Sequence, residues 1–340
     1  MRVLTPARLG AWLAVFAVAL CAALLLGVAA GPSGLAPGEV VAALRGDATT
    51  HAAHDIVFGV RLPRVALGAL VGAALASAGA LFQALLRNPL ADPFVLGVSG
   101  GAAVGGIAAL SLGAALGFGY GAVPPAAFAG AVLTTLALQA VAGVAGRVSP
   151  THLLLCGVVF NAFASAAIVF LASLAGLQEG ASIFLWLIGS LSAARPELIA
   201  SVALFLFAGL ACALPAARQL NLLALGEESA QQLGVDVTRL QRLLLLATSL
   251  MVGAAVSVAG LVGFVGLIIP HLLRLLLGPD HRLLLPTAAL AGAIFLVLCD
   301  TAARTLFGGR ELPVGAITAL AGGPLFLLLL RRQQQRVFAP

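Results

Sequence analysis

Few residues in this 340-residue sequence are placed to perform covalent chemistry. His51, His54 and Asp55 form the densest group of metal-binding side chains. This segment resembles a metal-binding pair, but a zinc site needs three or four ligands in defined geometry, and no third ligand is evident in the Thr- and Ala-rich loop. The four cysteines lie in apolar runs without C-x-x-C spacing, which is typical of small core residues. We therefore expect no catalytic residue and no metal site in this chain.

All 18 basic residues are arginines, and the sequence contains no lysine. A nucleotide-binding P-loop needs a lysine on the β- and γ-phosphates, so this chain has no such loop. If ATP drives the protein, ATP and its Mg²⁺ must be bound by another subunit, and we expect no cofactor here. The net charge of +6 is scattered between apolar segments, a distribution that does not indicate nucleic-acid binding.

The composition excludes an ordinary soluble enzyme. Apolar residues make up 61% of the chain and charged residues 9%, whereas soluble domains carry about 25% charged residues. Since a membrane-spanning helix needs about 20 mostly apolar residues, the sequence predicts an all-α polytopic membrane protein with about ten transmembrane helices in a single domain over 1–340. The predicted spans are 9–30, 65–86, 93–112, 124–145, 151–173, 197–215, 241–260, 262–277, 283–306 and 314–331.

The distribution of arginine predicts the orientation of these spans. With the N-terminus inside, twelve arginines fall in inner segments and six in outer segments. Cytoplasmic loops carry the excess of positive charge, so we expect both termini to be cytoplasmic. An odd number of spans would put the Arg-rich C-terminal tail outside.

A weak internal repeat relates two parts of the chain at an offset of 181 residues. Val71-Gly72-Ala73-Ala74 recurs as Val252-Gly253-Ala254-Ala255, and Pro89 and Gly97 match Pro270 and Gly278. The halves cover about 61–173 and 242–331. The first copy begins in an even-numbered span and the second in an odd-numbered one, so they run in opposite directions. Such an inverted repeat is a common plan of transporters.

A transporter driven by an ion gradient is one alternative that the residues leave open. It would use intramembrane carboxylates, and the candidate is Asp300, with Arg304 four residues later on the same helix face. A membrane-embedded enzyme would instead need clustered His or carboxylate side chains at membrane depth, and we find none in the sequence.

Three motifs carry a family resemblance. They are R-N-P-L-A-D-P at 87–93, G-F-V-G-L-I-I-P-H-L-L-R at 263–274 and E-L-P-V-G-A-I-T-A-L-A-G-G-P at 311–324. In order and spacing they resemble the FecCD/BtuC family, the permease subunits of bacterial ATP-binding-cassette (ABC) importers for ferric siderophores, haem and cobalamin. The resemblance covers about residues 55–331.

The resemblance implies partners and a location. The partners are two cytoplasmic ABC ATPase subunits, a periplasmic substrate-binding protein and a second permease copy, in a homodimer or a pseudo-symmetric heterodimer. The location is the bacterial inner membrane, in contact with lipid. A ferric siderophore is favoured as substrate because it is the commonest in the family; cobalamin or haem is the alternative.

The resemblance also implies site residues. In the loop between spans six and seven, two glycines bracket a short stretch with acidic residues in its first turn, which predicts a short helix. The resemblance implies that this helix couples to the ATPase, and its residues are Leu225, Gly226, Glu227, Glu228, Ser229, Ala230, Leu233 and Gly234. Arg61, Arg64 and Arg304 would receive carboxylates of the binding protein. Asn161 and Thr318 would line the translocation path. The structural alternatives are a solvated connector for the loop, interfacial anchoring for Arg61 and Arg64, neutralisation of Arg304 by Asp300, and helix–helix hydrogen bonding for Asn161 and Thr318.

Overall fold

A computed structural model describes residues 4–47, 51–95, 97–113, 120–144, 147–148, 150–174, 177–306 and 311–337. Fourteen α-helices lie within these ranges. They are α1 Pro6–Ala29, α2 Pro37–Arg45, α3 His51–Leu85, α4 Val98–Gly113, α5 Val123–Ala142, α6 Pro150–Leu174, α7 Leu177–Ile188, α8 Pro196–Ala213, α9 Ala217–Leu223, α10 Glu227–Gln232, α11 Val237–Ala259, α12 Val265–Leu277, α13 His281–Thr305 and α14 Val314–Val337. A short 3₁₀ helix spans Tyr120–Ala122, and Gly143–Val144 pairs antiparallel with Arg147–Val148.

The ten predicted spans correspond one to one with ten of these helices. Among the described residues, seven helices are long and apolar enough to cross a membrane, and three shorter apolar helices, at Val98–Leu112, Val265–Leu277 and Val314–Leu329, complete the set. The all-α polytopic fold is therefore confirmed. The short helix predicted in the loop between spans six and seven is also present, as α10.

The second span starts earlier than the sequence predicts. We expected it to begin near residue 65, but α3 begins at His51 and runs without a break to Leu85, with a π-helical stretch over Asp55–Arg61. Polar residues at 51–55 suggested a loop, and tertiary packing overrides that local preference. The helices α2, α7 and α9 were not predicted, because each is shorter than a span or lies next to one.

Small residues let α3 pack closely against its neighbours. It is the most buried of the long helices, with Leu75, Leu81 and Phe82 inaccessible to solvent. A Cβ atom added at Gly72 would overlap the carbonyl oxygen of Gly292 on α13. Because only glycine allows two backbones to approach this closely, α3 and α13 form a tightly joined pair at the centre of the bundle.

The two predicted halves pack on each other reciprocally. The first helix of one half, α3, contacts α12 and α13, and the first helix of the other half, α11, contacts α4 and α5. A twofold relation between the halves would give this pattern. The division into halves at 61–173 and 242–331 stays a prediction.

Two groups of polar residues lie at opposite ends of α3. The Asp300 end contains Arg61, Arg64, Asp300, Arg304 and Glu311. The α10 end contains Arg87, Glu227, the turn between α12 and α13 at Asp280, and Arg8 at the start of α1. The helical part from Leu62 to Leu85 separates them by about 36 Å at 1.5 Å per residue. The residues predicted to be outer thus lie at one end of α3, and those predicted to be inner lie at the other. Which end faces the cytoplasm stays a prediction.

Candidate functional site

Two glycines set the limits of α10. Gly226, with φ of 113°, is the N-cap, and Glu227 and Glu228 occupy the first turn, where the helix dipole favours negative charge. After Leu233, Gly234 adopts a φ of 84° and the Val235 amide donates to the Ala230 carbonyl at 3.0 Å. A Cβ at either glycine would meet nothing within 4 Å, so the positive φ rather than crowding explains glycine at both positions.

The helix α10 is anchored by a buried alanine and has an exposed leucine next to each of its ends. Ala230 is fully buried, which fixes the helix on the bundle. Leu225 and Leu233, one at each end of α10, are 66% and 58% exposed. These two leucines leave apolar side chains exposed at both ends of α10.

Glu227 ties α10 to two long helices. Arg87 follows the end of α3 and places its Nη2 3.1 Å from Glu227 Oε1, and Gln241 of α11 donates to the same oxygen at 3.4 Å. Arg87 adopts a φ of 49°, which a non-glycine residue rarely does. Both partners of the ion pair are partly exposed, so it positions α10 more than it stabilises the fold. Beside it lies a cavity of about 470 Å³ lined by Arg87 and residues of the α10 segment.

A buried carboxyl group and a buried amide network support this end of the bundle. Asp92 lies in the turn after α3, and burial raises its pKa to about 6, although a hydrogen bond from the Phe94 amide acts in the opposite direction. Gln83 donates to the Leu267 carbonyl at 3.0 Å and accepts from Arg274 at 3.1 Å. The network holds α3 against α12 close to Arg87, the residue through which α10 contacts the end of α3.

At the Asp300 end, one carboxylate is shared by two arginines. Arg64 places Nη2 3.0 Å from Asp300 Oδ1, and Arg304 places Nε 2.9 Å from Asp300 Oδ2. Arg64 also pairs through Nη1 with Glu311 at 2.8 Å. Asp300, Arg64 and Arg304 are all buried, whereas the Glu311 side chain is 48% exposed.

Two buried arginines of this end, Arg61 and Arg304, donate hydrogen bonds to the end of α1 and the residues that follow it. Arg61 donates through Nη1 to the carbonyl oxygens of Val28 and Ala29, each at 2.8 Å, and through Nη2 to Ser33 at 2.7 Å. Arg304 donates to the Gly27 carbonyl at 3.1 Å. These carbonyls lack intrahelical partners at a helix C-terminus, so buried guanidinium groups satisfy them.

The structure therefore gives all three predicted docking arginines partners within the chain. Arg61, Arg64 and Arg304 are 3%, 7% and 3% exposed. The expected i,i+4 pair of Asp300 with Arg304 is present. The pairing of Asp300 with Arg64, which lies 236 residues away, had no counterpart in the sequence pattern. The docking role of the three arginines stays a prediction.

The two path candidates lie on different helices and bind locally. Asn161 of α6 donates to the carbonyl of Phe94 at 2.8 Å, which ties α6 to the turn before α4. Thr318 of α14 is fully buried and its hydroxyl donates to the Gly315 carbonyl of its own helix at 3.0 Å. The Asn161 contact joins two segments of the bundle, close to the structural alternative, whereas the Thr318 contact is intrahelical and matches neither expectation. The path role of each residue stays a prediction.

An exposed charged site near the Asp300 end was not singled out from the sequence. Arg195 and Glu197, at the start of α8, line a cavity of about 420 Å³ together with Trp186 and Ser257. Arg195 is exposed, unlike the three buried arginines. The R-P-E triplet could have indicated it, because it places two charged residues at the start of a predicted span.

Comparison with known proteins identifies the family. The model of the FecCD transport family matches residues 18–332. The cobalamin import system permease protein BtuC of Halobacterium salinarum is 47% identical over 284 residues, which cover 84% of this chain and 75% of that protein. The hemin transport system permease protein HmuU of Yersinia pestis is 42% identical over 296 residues, which cover 85% of this chain and 87% of that protein.

A solved structure agrees with this family in fold. It is described as an inward-facing conformation of a metal-chelate type ABC transporter, and it matches with a TM-score of 0.82 and 30% identity over 95% of this chain and 99% of that one. The family model and the relatives cover far more than half of the chain, and the resemblance of the three motifs is confirmed. This multi-pass membrane protein belongs to the FecCD transport family.

Proposed function

We propose that this chain is the permease subunit of an ABC importer for a bulky metal chelate, with cobalamin as the first candidate substrate. The relatives with the highest identity described above are named for cobalamin and haem, and the matching structure for metal chelates. None of these names specifies a siderophore, so the ferric siderophore expected from the sequence becomes the second candidate. The importer lies in the inner membrane with both termini of this chain cytoplasmic.

The observation that carries the proposal is the construction of α10. A short helix anchored by Ala230, with an exposed leucine at each end, can enter a cleft of an ATPase subunit. Glu227 links it to α3 through Arg87 and to α11 through Gln241. A displacement of α10 is thereby passed to two of the long helices. ATP and Mg²⁺ bind the ATPase subunits, two of which serve a dimer of this permease.

On the opposite side, a periplasmic binding protein delivers the cargo. Glu311 is half-exposed and pairs with Arg64, so a carboxylate of the binding protein would replace Glu311 on Arg64 without leaving the guanidinium unpaired. Arg195 is an exposed arginine near this end that a carboxylate of such a protein can reach.

The test of coupling compares two leucine variants of equal exposure. Leu225→Ser is expected to reduce co-purification of the ATPase subunit several-fold and to reduce uptake. Leu306→Ser, at the Asp300 end with 67% exposure, is the matched control and should leave ATPase binding unchanged. Equal losses in both variants, or normal uptake in cells that lack the ATPase, would overturn the proposal in favour of an ion-coupled transporter.

The test of substrate is uptake of labelled cobalamin, haem and ferric siderophore by cells with and without the gene. Loss of cobalamin uptake alone would establish the first candidate. Loss of siderophore uptake alone would establish the second and reject the first.

A further inference from the structure

A groove of about 780 Å³ lies at the α10 end, next to the cavity that α10 lines. Its walls are the start of α1 at Leu4 and Arg8, the last turn of α12 at Leu275 and Leu276, and the start of α13 at Arg282. We call it the Arg8 groove. None of the coupling, docking or path roles discussed above uses these side chains.

The groove lies at the level where apolar helices end. The helices α1 and α13 are candidate membrane spans and α12 is a shorter apolar helix, and each begins or ends in the wall of the groove. Leu275 and Leu276 are 54% and 72% exposed on the last turn of α12. Leucines at the end of a membrane helix contact acyl chains, so the groove opens at the boundary between membrane and water.

Among the described residues that line the groove, the charged ones are two arginines and one carboxylate. Arg8 donates through Nη2 to the Leu277 carbonyl at 2.8 Å, which holds its guanidinium at the mouth. Arg282 lies 2.6 Å from Asp280 through Nη2 and Oδ2, and this hydrogen bond lowers the pKa of Asp280 to about 2. Asp280 is ionised at neutral pH and offsets one of the two arginines, so the described lining residues carry a net positive charge.

We propose that the Arg8 groove binds one anionic phospholipid, with its phosphate on Arg8 and Arg282 and its acyl chains on Leu275 and Leu276. The planar fork of arginine fits two phosphate oxygens at once, and basic pockets between transmembrane helices are favourable sites for anionic headgroups. The two arginines alone would bind any small anion, and the two exposed leucines alone would bind any lipid. Their juxtaposition selects an anionic lipid.

The bound lipid contacts the segment that leads into α10. Leu225 lines both the Arg8 groove and the cavity beside α10. An occupant of the groove therefore restricts the movement of Leu225. Lipid binding itself does not depend on the importer function proposed above, and the following experiment measures binding alone.

The test is native mass spectrometry of the purified full-length chain, delipidated and titrated with phosphatidylglycerol or phosphatidylcholine. Phosphatidylglycerol is expected to bind about tenfold more tightly, and Arg8→Gln to remove about that factor, as the loss of one charge-assisted contact predicts. Arg239→Gln, an exposed arginine at the same end but outside the groove, is the matched control and should leave both affinities unchanged.

Three results would overturn the proposal. They are equal affinity for the two lipids, an equal loss in Arg239→Gln, and displacement of the lipid by an equal concentration of sn-glycerol 3-phosphate, which would indicate an anion site without acyl contacts. Leu276→Asn keeps the test open if Arg8→Gln does not fold, because its side chain is mostly exposed. This variant should weaken both lipids several-fold and keep the preference for phosphatidylglycerol, and unchanged affinities would also reject the proposal.

Discussion

The Asp300 end and the α10 end both contain arginine–carboxylate pairs, but their surroundings differ. At the Asp300 end, the central carboxylate and both arginines are buried and bind within the chain. At the α10 end, Arg87 and Glu227 are partly exposed, and leucines on either side of α10 contact solvent. The same pair of residue types therefore lies inside the fold at one end and holds an exposed surface helix at the other, and burial is what distinguishes the two.

The largest expected effect comes from removing the shared carboxylate of the Asp300 end. Asp300→Ala leaves Arg64 and Arg304 buried without their common partner, and we expect a loss of about 3–5 kcal/mol in the free energy of unfolding. Denaturant titration in mixed micelles measures it. Glu311→Gln, which removes the half-exposed partner of Arg64, is the control with an expected loss of under about 1 kcal/mol. Similar losses for the two variants would contradict the idea that burial makes the Asp300 pairs more important for stability than the Glu311 pair.

A smaller effect should follow the titration of Asp92 at the α10 end. Its pKa is raised from 3.8 to about 6 by burial, so the folded chain holds the proton more tightly than the unfolded chain. The contribution of Asp92 to stability is therefore full below pH 4, falls as the pH rises through 6 and then levels, with a total loss on the order of 2–3 kcal/mol. Asp92→Asn should remove this dependence, as measured by unfolding between pH 4.5 and 8. An identical pH dependence of stability in the wild-type chain and in Asp92→Asn would reject this role of Asp92.

Next in size is the backbone conformation that ends α10. Gly234 has a φ of 84° with room for a Cβ, so Gly234→Ala should cost about 1 kcal/mol through strain alone. Gly263→Ala is the control, because this glycine also has room for a Cβ but no positive φ. Thermal unfolding measures both variants, and the idea fails if Gly263→Ala is the more damaging one.

The smallest effect on stability should come from the exposed pair. Arg87→Gln is expected to change the free energy of unfolding by under about 1 kcal/mol, yet to reduce ATP-driven uptake several-fold because α10 loses its link to α3. Arg218→Gln, an exposed arginine of α9, serves as control. Uptake that is unchanged in Arg87→Gln would show that α10 transmits movement without this pair.

The sequence predicted the spans well and the partners of the charged residues poorly. Ten helices followed from apolar runs because burial in lipid needs only local length and hydrophobicity. The pairs of Asp300 with Arg64 and of Arg87 with Glu227 join residues 236 and 140 positions apart. Such contacts depend on how the helices pack, and no local spacing encodes that packing. The Asp300–Arg304 pair was predictable because helix geometry alone sets i,i+4 neighbours.

The burial of the predicted docking residues Arg61 and Arg64 was not foreseen for the same reason, since it also depends on how the helices pack. The motif around Arg61 and Arg64 indicated accessible cations at a span boundary, but α3 begins at His51 rather than near 65. Both arginines consequently lie within a helix beside the end of α1, where Arg61 satisfies the terminal carbonyls. In contrast, the glycines and acidic first turn of α10 are local features, and the sequence predicted that helix from them.

The shared carboxylate also has a consequence for biogenesis. As the chain leaves the ribosome, α1 precedes Arg61 and its free carbonyls are already available. Arg64 has no such early partner, because Asp300 and Glu311 are synthesised more than 230 residues later. The helix α13 carries Asp300 together with Arg304, so this part of the helix brings its own ion pair. The ion pairs of Arg64 can therefore form only after α13 has been synthesised and has packed on α3.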